Sequence, residues 1–152
     1  MLEIIFLLLS FMNSLFLITI FIVRKRLNWA GVKKIGYGYF CLGPLAIYAM
    51  ILVIREQQDS AYNVFLLVFL CYLAMEILLD HVLKIEFRML KRWYLLVPYL
   101  VLYYAMNYGF MVMSWKIHVV WGILLLGLFI LQIVTNAKSH SPLKNSHNSL
   151  SI

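Results

Sequence analysis

Glu76 and Asp80 stand four residues apart inside an apolar stretch, 62–83, that is long enough to cross a bilayer as a helix. A carboxylate at the bilayer centre costs about 2.5–3.5 kcal/mol or more unless it is paired, protonated or wetted, so such residues are candidates for function. On a helix, Tyr72, Glu76, Asp80 and Lys84 recur at i, i+4 and drift about 40° per step, forming one slanting stripe. Lys84 marks the cytoplasmic end of that stripe. Asp80, one turn inside it, has the acid-before-base order that favours a helix pair, so a snorkelling pair with Lys84 accounts for it. Glu76 lies eight residues from Lys84, about 12 Å deeper, where snorkelling falls short. Burial and the neighbouring Asp80 both favour a neutral Glu76, or one that shares a proton with Asp80. A protonated Glu bonding neighbouring helices together is the structural alternative.

Partners for these acids are expected on the fourth apolar stretch. Tyr99, Tyr103 and Asn107 again follow i, i+4, with Tyr104 and Tyr108 nearby and Pro98 loosening the backbone. Tyr99, Tyr103 and Tyr104 lie too deep for an interfacial belt, and buried phenol hydroxyls need hydrogen-bond partners. Expected roles follow. Glu76 accepts a proton or cation, Tyr99 and Tyr103 hydrogen-bond it, and Asp80, clamped by Lys84, tunes its charge. Tyr72 and Asn107 complete the ligand- or proton-binding set.

Other polar residues are assigned no chemistry. His81 and His118 fall at opposite ends of their spans, and His81 points about 100° away from Asp80, so no metal set converges. Gln132 shares a face with His118, Gly122, Leu125 and Phe129. Ser10, Asn13 and Ser14 read as a helix-packing face, and Gly36, Gly38, Gly43 and Pro44 as close packing or a kink. His140 and His147 in the tail read as solvated. Cys41 and Cys71 sit in different apolar stretches without a Cys-x-x-Cys pair. There is no phosphate-binding Gly-rich loop, zinc-protease motif or hydrolase Ser elbow. Neither cofactor nor metal is expected.

The elements that must position these side chains follow from composition. The chain is 64% hydrophobic and only 12% charged, against roughly 45–50% and about 25% in soluble domains. Five apolar runs, 2–23, 35–54, 62–83, 94–113 and 117–135, each approach the ~20 residues that span a bilayer. None alternates as a barrel strand must. The fold expected is an all-α integral membrane protein, a compact bundle of five transmembrane helices. Ser114, Trp115 and Lys116 would form the hinge of a tight hairpin, with Trp93, Tyr94 and Trp115 as interfacial anchors. Residues 1–136 form the membrane domain, and the Ser- and Asn-rich stretch 137–152 reads as a disordered polar cytoplasmic tail.

Charge supplies an orientation. If all five runs cross, eleven of the thirteen Lys and Arg residues fall on one side, which the positive-inside rule makes cytoplasmic. The N-terminus is then outside and the C-terminus inside. The first run has no basic residue before it and reads as a retained helix, not a cleaved signal. The net charge of +7 sits beside apolar runs, which points to anionic lipid at the basic loops and away from nucleic acid. The expected location is a cell membrane, the cytoplasmic membrane of a prokaryote.

Three functions fit these residues. The first is a small carrier, or a subunit of a larger membrane complex, with an acidic and tyrosine-lined pocket for a small ligand, ion or proton. At this size a homo-oligomer or a partner membrane subunit is expected. The second is a membrane enzyme on a lipid or isoprenoid substrate, with Glu76 and Asp80 as acid and base and Arg88, Lys91 and Arg92 holding the phosphate head group. The third is an assembly protein whose polar residues are packing glue.

Overall fold

The computed structural model describes residues 1–25, 29–82 and 93–140. The chain is all-helical, with no strand among the described residues. The helices are α1 (Leu2–Lys25), α2 (Trp29–Phe40), α3 (Leu42–Arg55), α4 (Ala61–Glu76), α5 (Trp93–Ile117) and α6 (Val119–His140). A π-helical segment, Ile77–Val82, continues α4. Five spans are long and apolar enough to cross a membrane: Leu2–Arg24, Lys34–Arg55, Ala61–Leu79, Trp93–Ile117 and Val119–Lys138. Arg26, Lys84, Arg88, Lys91, Arg92, the stretch 141–152 and the Asp80 side chain, which carried several of the expectations above, lie outside the described residues.

Four boundaries differ from the sequence expectation, each for a local reason. The run 35–54 is two helices that meet at Cys41. Pro44 has no N–H to bond the Phe40 carbonyl, and the chain tightens there through Cys41 N donating to Gly38 O, 3.2 Å. The expected hinge at Ser114, Trp115 and Lys116 is helical. The backbone ladder of α5 runs on to His118, whose N–H donates to Ser114 O, 3.0 Å. His118 alone separates α5 from α6, and its Nδ1 accepts from Val120 N, 3.2 Å, so it caps α6. Helix α6 continues to His140, past both the expected end at 135 and the start of the tail at 137. Ala137 and Lys138 are good helix formers, so the ladder does not stop where apolarity does. Lastly, α4 loses regular α geometry right after Glu76.

The helices close into a ring. Helix α1 packs on α2 and α3, α3 on α4, α4 on α5, α5 on α6, and α6 returns to α1. Helix α1 also touches α5, so it lies deepest, with 50% of its apolar window buried against 17% for α6. The far side of α6 bears exposed Ile123, Leu124, Ile130 and Leu131. Part of the core is aromatic: Phe6 stacks edge-on with Tyr62 and Phe110, and Phe110 with Phe69. Two glycines set close approaches. A Cβ on Gly109 of α5 would collide with the Phe65 ring of α4, and one on Gly122 would lie 2.7 Å from Trp115 Cδ2 within the α5–α6 hairpin.

Candidate functional site

Tyr72 and Glu76 occupy successive turns of α4, and both are buried. Glu76 is the last α-helical residue before the π segment. Such segments are rare and concentrate at functional sites. Gly109 lets α5 approach α4, which brings Tyr99 against Tyr72. Their hydroxyls share a hydrogen bond of 2.8 Å and their rings lie 5.3 Å apart. Tyr103, one turn along α5, packs its ring 6.2 Å from that of Tyr72. Its hydroxyl donates to Gln132 Oε1 on α6, 3.0 Å.

A third tyrosine enters from the other side. Tyr39 of α2 is buried and donates to Asn13 Oδ1 on α1, 2.7 Å. Tyr39 stands within electrostatic reach of Glu76, Tyr99 and Tyr103, and Tyr72 within reach of Glu76 and Tyr39. One polar cluster therefore forms from α1, α2, α4, α5 and α6. Phe21 and Phe129 border it at Tyr103, with ring centroids 6.5 Å away in each case. The guanidinium of Arg24 lies over Phe21, 5.9 Å from its centroid, which puts a cation at the border.

The expected residues thus fare differently. Glu76, Tyr72, Tyr99 and Tyr103 are brought together. Tyr103, expected to bond Glu76, donates instead to Gln132 because α6 flanks α5 at that level. Asn107 is buried, but its Nδ2 donates to the Tyr103 carbonyl one turn back, 2.8 Å, so that group serves its own helix. Tyr104 and Tyr108 turn outward. The first meets Tyr103 edge-on, and the second packs beside Phe65. Asp80 lies in the π segment, and its side chain and Lys84, the rest of the expected stripe, lie outside the described residues. The exposed His118 is a cap.

Three members of the cluster were not expected there: Tyr39, Asn13 and Gln132. The one available signal was polarity within apolar runs. Asn13 was visible in the Ser10–Ser14 face and Gln132 in the α6 face, but each pairs with a tyrosine on another helix. Among the described residues, no three His, Cys, Asp or Glu side chains come together as a metal-ligand group.

A second polar cluster lies at the α3–α4 turn. Lys116 Nζ donates to Asp59 Oδ2, 2.8 Å, and Asp59 Oδ1 accepts from Ala61 N, 3.0 Å. The bond from Lys116, with that from Ala61, holds the Asp59 carboxyl below its ordinary range although it is exposed. Gln57, with φ of 48°, makes the sharp bend that presents Asp59.

What the central cluster can do is limited and specific. Among the described residues it has one carboxyl group, several neutral hydroxyl donors and two amides, all shielded from solvent. That suits holding a proton or a small polar ligand. Comparison with family models, curated proteins and solved structures returned no match.

Proposed function

We propose that the chain is a multi-pass membrane protein whose centre is Glu76, which accepts a proton or a small cation inside the bundle. It would act as a small carrier or as a subunit of a larger membrane complex. The observation that carries this reading is the burial of Glu76 at the α-to-π junction, within reach of Tyr39 and Tyr72. A carboxyl group at such depth is costly, and helix packing needs none there. In this reading the tyrosines orient the carboxyl group, and Asp80 in the following segment modulates it. The N-terminus lies outside and the basic loops face the cytoplasm and its anionic lipids, as the charge distribution favours.

The test compares wild type with Glu76→Gln in liposomes carrying an internal pH dye. Both proteins should insert equally, because Gln keeps the shape and a hydrogen bond. The variant should lose proton uptake driven by a pH step or by membrane potential. Equal uptake in the two proteins, above that of empty liposomes, overturns the reading.

One set of contacts favours a second reading. The pairs Tyr72–Tyr99, Tyr103–Gln132 and Tyr39–Asn13 each join two different helices. That is how polar packing glue is arranged. Under that reading Glu76→Gln changes neither flux nor any cellular phenotype, while loss of a tyrosine–amide pair loosens the bundle.

A further inference from the structure

Asn13 and Gln132 are fully buried, and each spends one end of its amide on a tyrosine hydroxyl. The other ends, Asn13 Nδ2 and Gln132 Nε2, have no protein acceptor within hydrogen-bond distance. Buried N–H groups without acceptors are expensive, most of all where no bulk water reaches. Leucine at either position would carry no such cost. The two amides bond different tyrosines, Asn13 pairing with Tyr39 on one flank, where α1 meets α2, and Gln132 with Tyr103 on another, where α5 meets α6. Each flank has further polar groups. Ser10 and Ser14 are buried on the same side of α1 as Asn13, and the Thr135 hydroxyl bonds the Gln132 carbonyl at 3.0 Å. Glu76 is within electrostatic reach of Tyr39 on the first flank.

We infer that each flank holds an internal water molecule, bound through the free amide N–H groups of Asn13 and of Gln132. The chemistry selects a small neutral oxygen acceptor. A cation would be repelled by amide donors, and an anion is far costlier to bury than water. Water accepts from the amide and donates its own protons to carbonyl or carboxylate oxygens, making about three bonds in such sites. The water at Asn13 would lie on the side of Tyr39, which is within electrostatic reach of Glu76. This deepens the proposed function, since a buried carboxyl group needs a nearby proton carrier, and that role, though not the water sites, rests on the proton reading.

The test is solid-state NMR of the whole chain in bilayers with ¹⁵N-labelled Asn and Gln, measuring magnetisation transfer from water to side-chain NH₂ groups. The exposed Gln57 and Gln58 provide the fast reference. Asn107, buried with its Nδ2 already bonded to Tyr103, provides the slow one. Loss of a signal in Asn13→Leu or Gln132→Leu assigns it; sequential assignment of the wild type serves if a variant fails to insert. The Asn13 and Gln132 groups should receive water magnetisation several-fold faster than Asn107. Transfer as slow as that to Asn107, or transfer from lipid chains in place of water, overturns the site at that flank. A Glu76 that never changes charge, with both amides wet, fails the proton reading and leaves this one standing.

Discussion

Two carboxylates of this chain sit in opposite settings. Asp59 is exposed at a turn, bonded by Lys116 and by the Ala61 amide at the start of α4. Glu76 is buried at the end of α4, within electrostatic reach of Tyr72 on its own helix and of Tyr39 on α2. The first is an ordinary solvated acid held by a cation, and its removal should alter little. The second is an acid that the bundle surrounds with neutral donors. Burial, not acidity, separates the two carboxylates, and under the proposed function only the buried one would carry the activity.

The largest effect should come from the contact that assembles the buried site. Gly109→Ala drives a methyl group into Phe65 and forces α4 and α5 apart. We expect a loss of about 1–3 kcal/mol, typical of overpacked cores. Thermal unfolding in detergent checks it. Gly127, where an added Cβ meets nothing within 4 Å, is the matched control, and Gly127→Ala should not destabilise.

Next comes the hydrogen-bonded layer. Tyr103→Phe strips Gln132 of its donor and should cost about 0.6–1.7 kcal/mol, the span seen for buried pairs in membranes. Gln132→Leu with Tyr103→Phe should cost less than the two single changes added together. A double-mutant cycle by unfolding reads this coupling, and strict additivity would show that the pair is not formed.

The smallest effect belongs to the exposed end. Asp59→Asn should leave melting unchanged near neutral pH at high salt, since exposed pairs contribute little. Its pH dependence has a definite sign. The folded-state carboxyl value is lowered, so its contribution is complete above the ordinary carboxylate value and fades as pH falls through the lowered one. Protection of the Ala61 amide, its exchange taken relative to the intrinsic rate at each pH, should therefore fall only below about pH 4. A loss of protection already near neutral pH would show that the bonds to Lys116 and Ala61 do not hold Asp59.

The same contrast separates what could be read from the sequence from what could not. Apolarity adds up along the chain, so the five spans were legible to within a few residues, and Pro44 pointed to close packing or a kink but not to the break at Cys41. Helix ends were less legible. Backbone hydrogen bonding continues through Ser114–Ile117 and Ala137–His140, where polar residues suggest a stop. Glu76 and its tyrosines were visible because polar residues in apolar runs are costly. The pairings of Asn13, Tyr39 and Gln132 were not, because their partners depend on which helices are neighbours. That α6 closes the ring on α1 is a property of packing, which no local pattern encodes. Nor did any residue type foretell the π segment after Glu76.

The most direct test of the account is the pH-difference infrared spectrum of the protein in bilayers, wild type against Glu76→Gln. The account predicts a protonated-carboxyl band that responds to pH, shifts in Tyr72→Phe and disappears in Glu76→Gln. The same band in wild type and Glu76→Gln would contradict it.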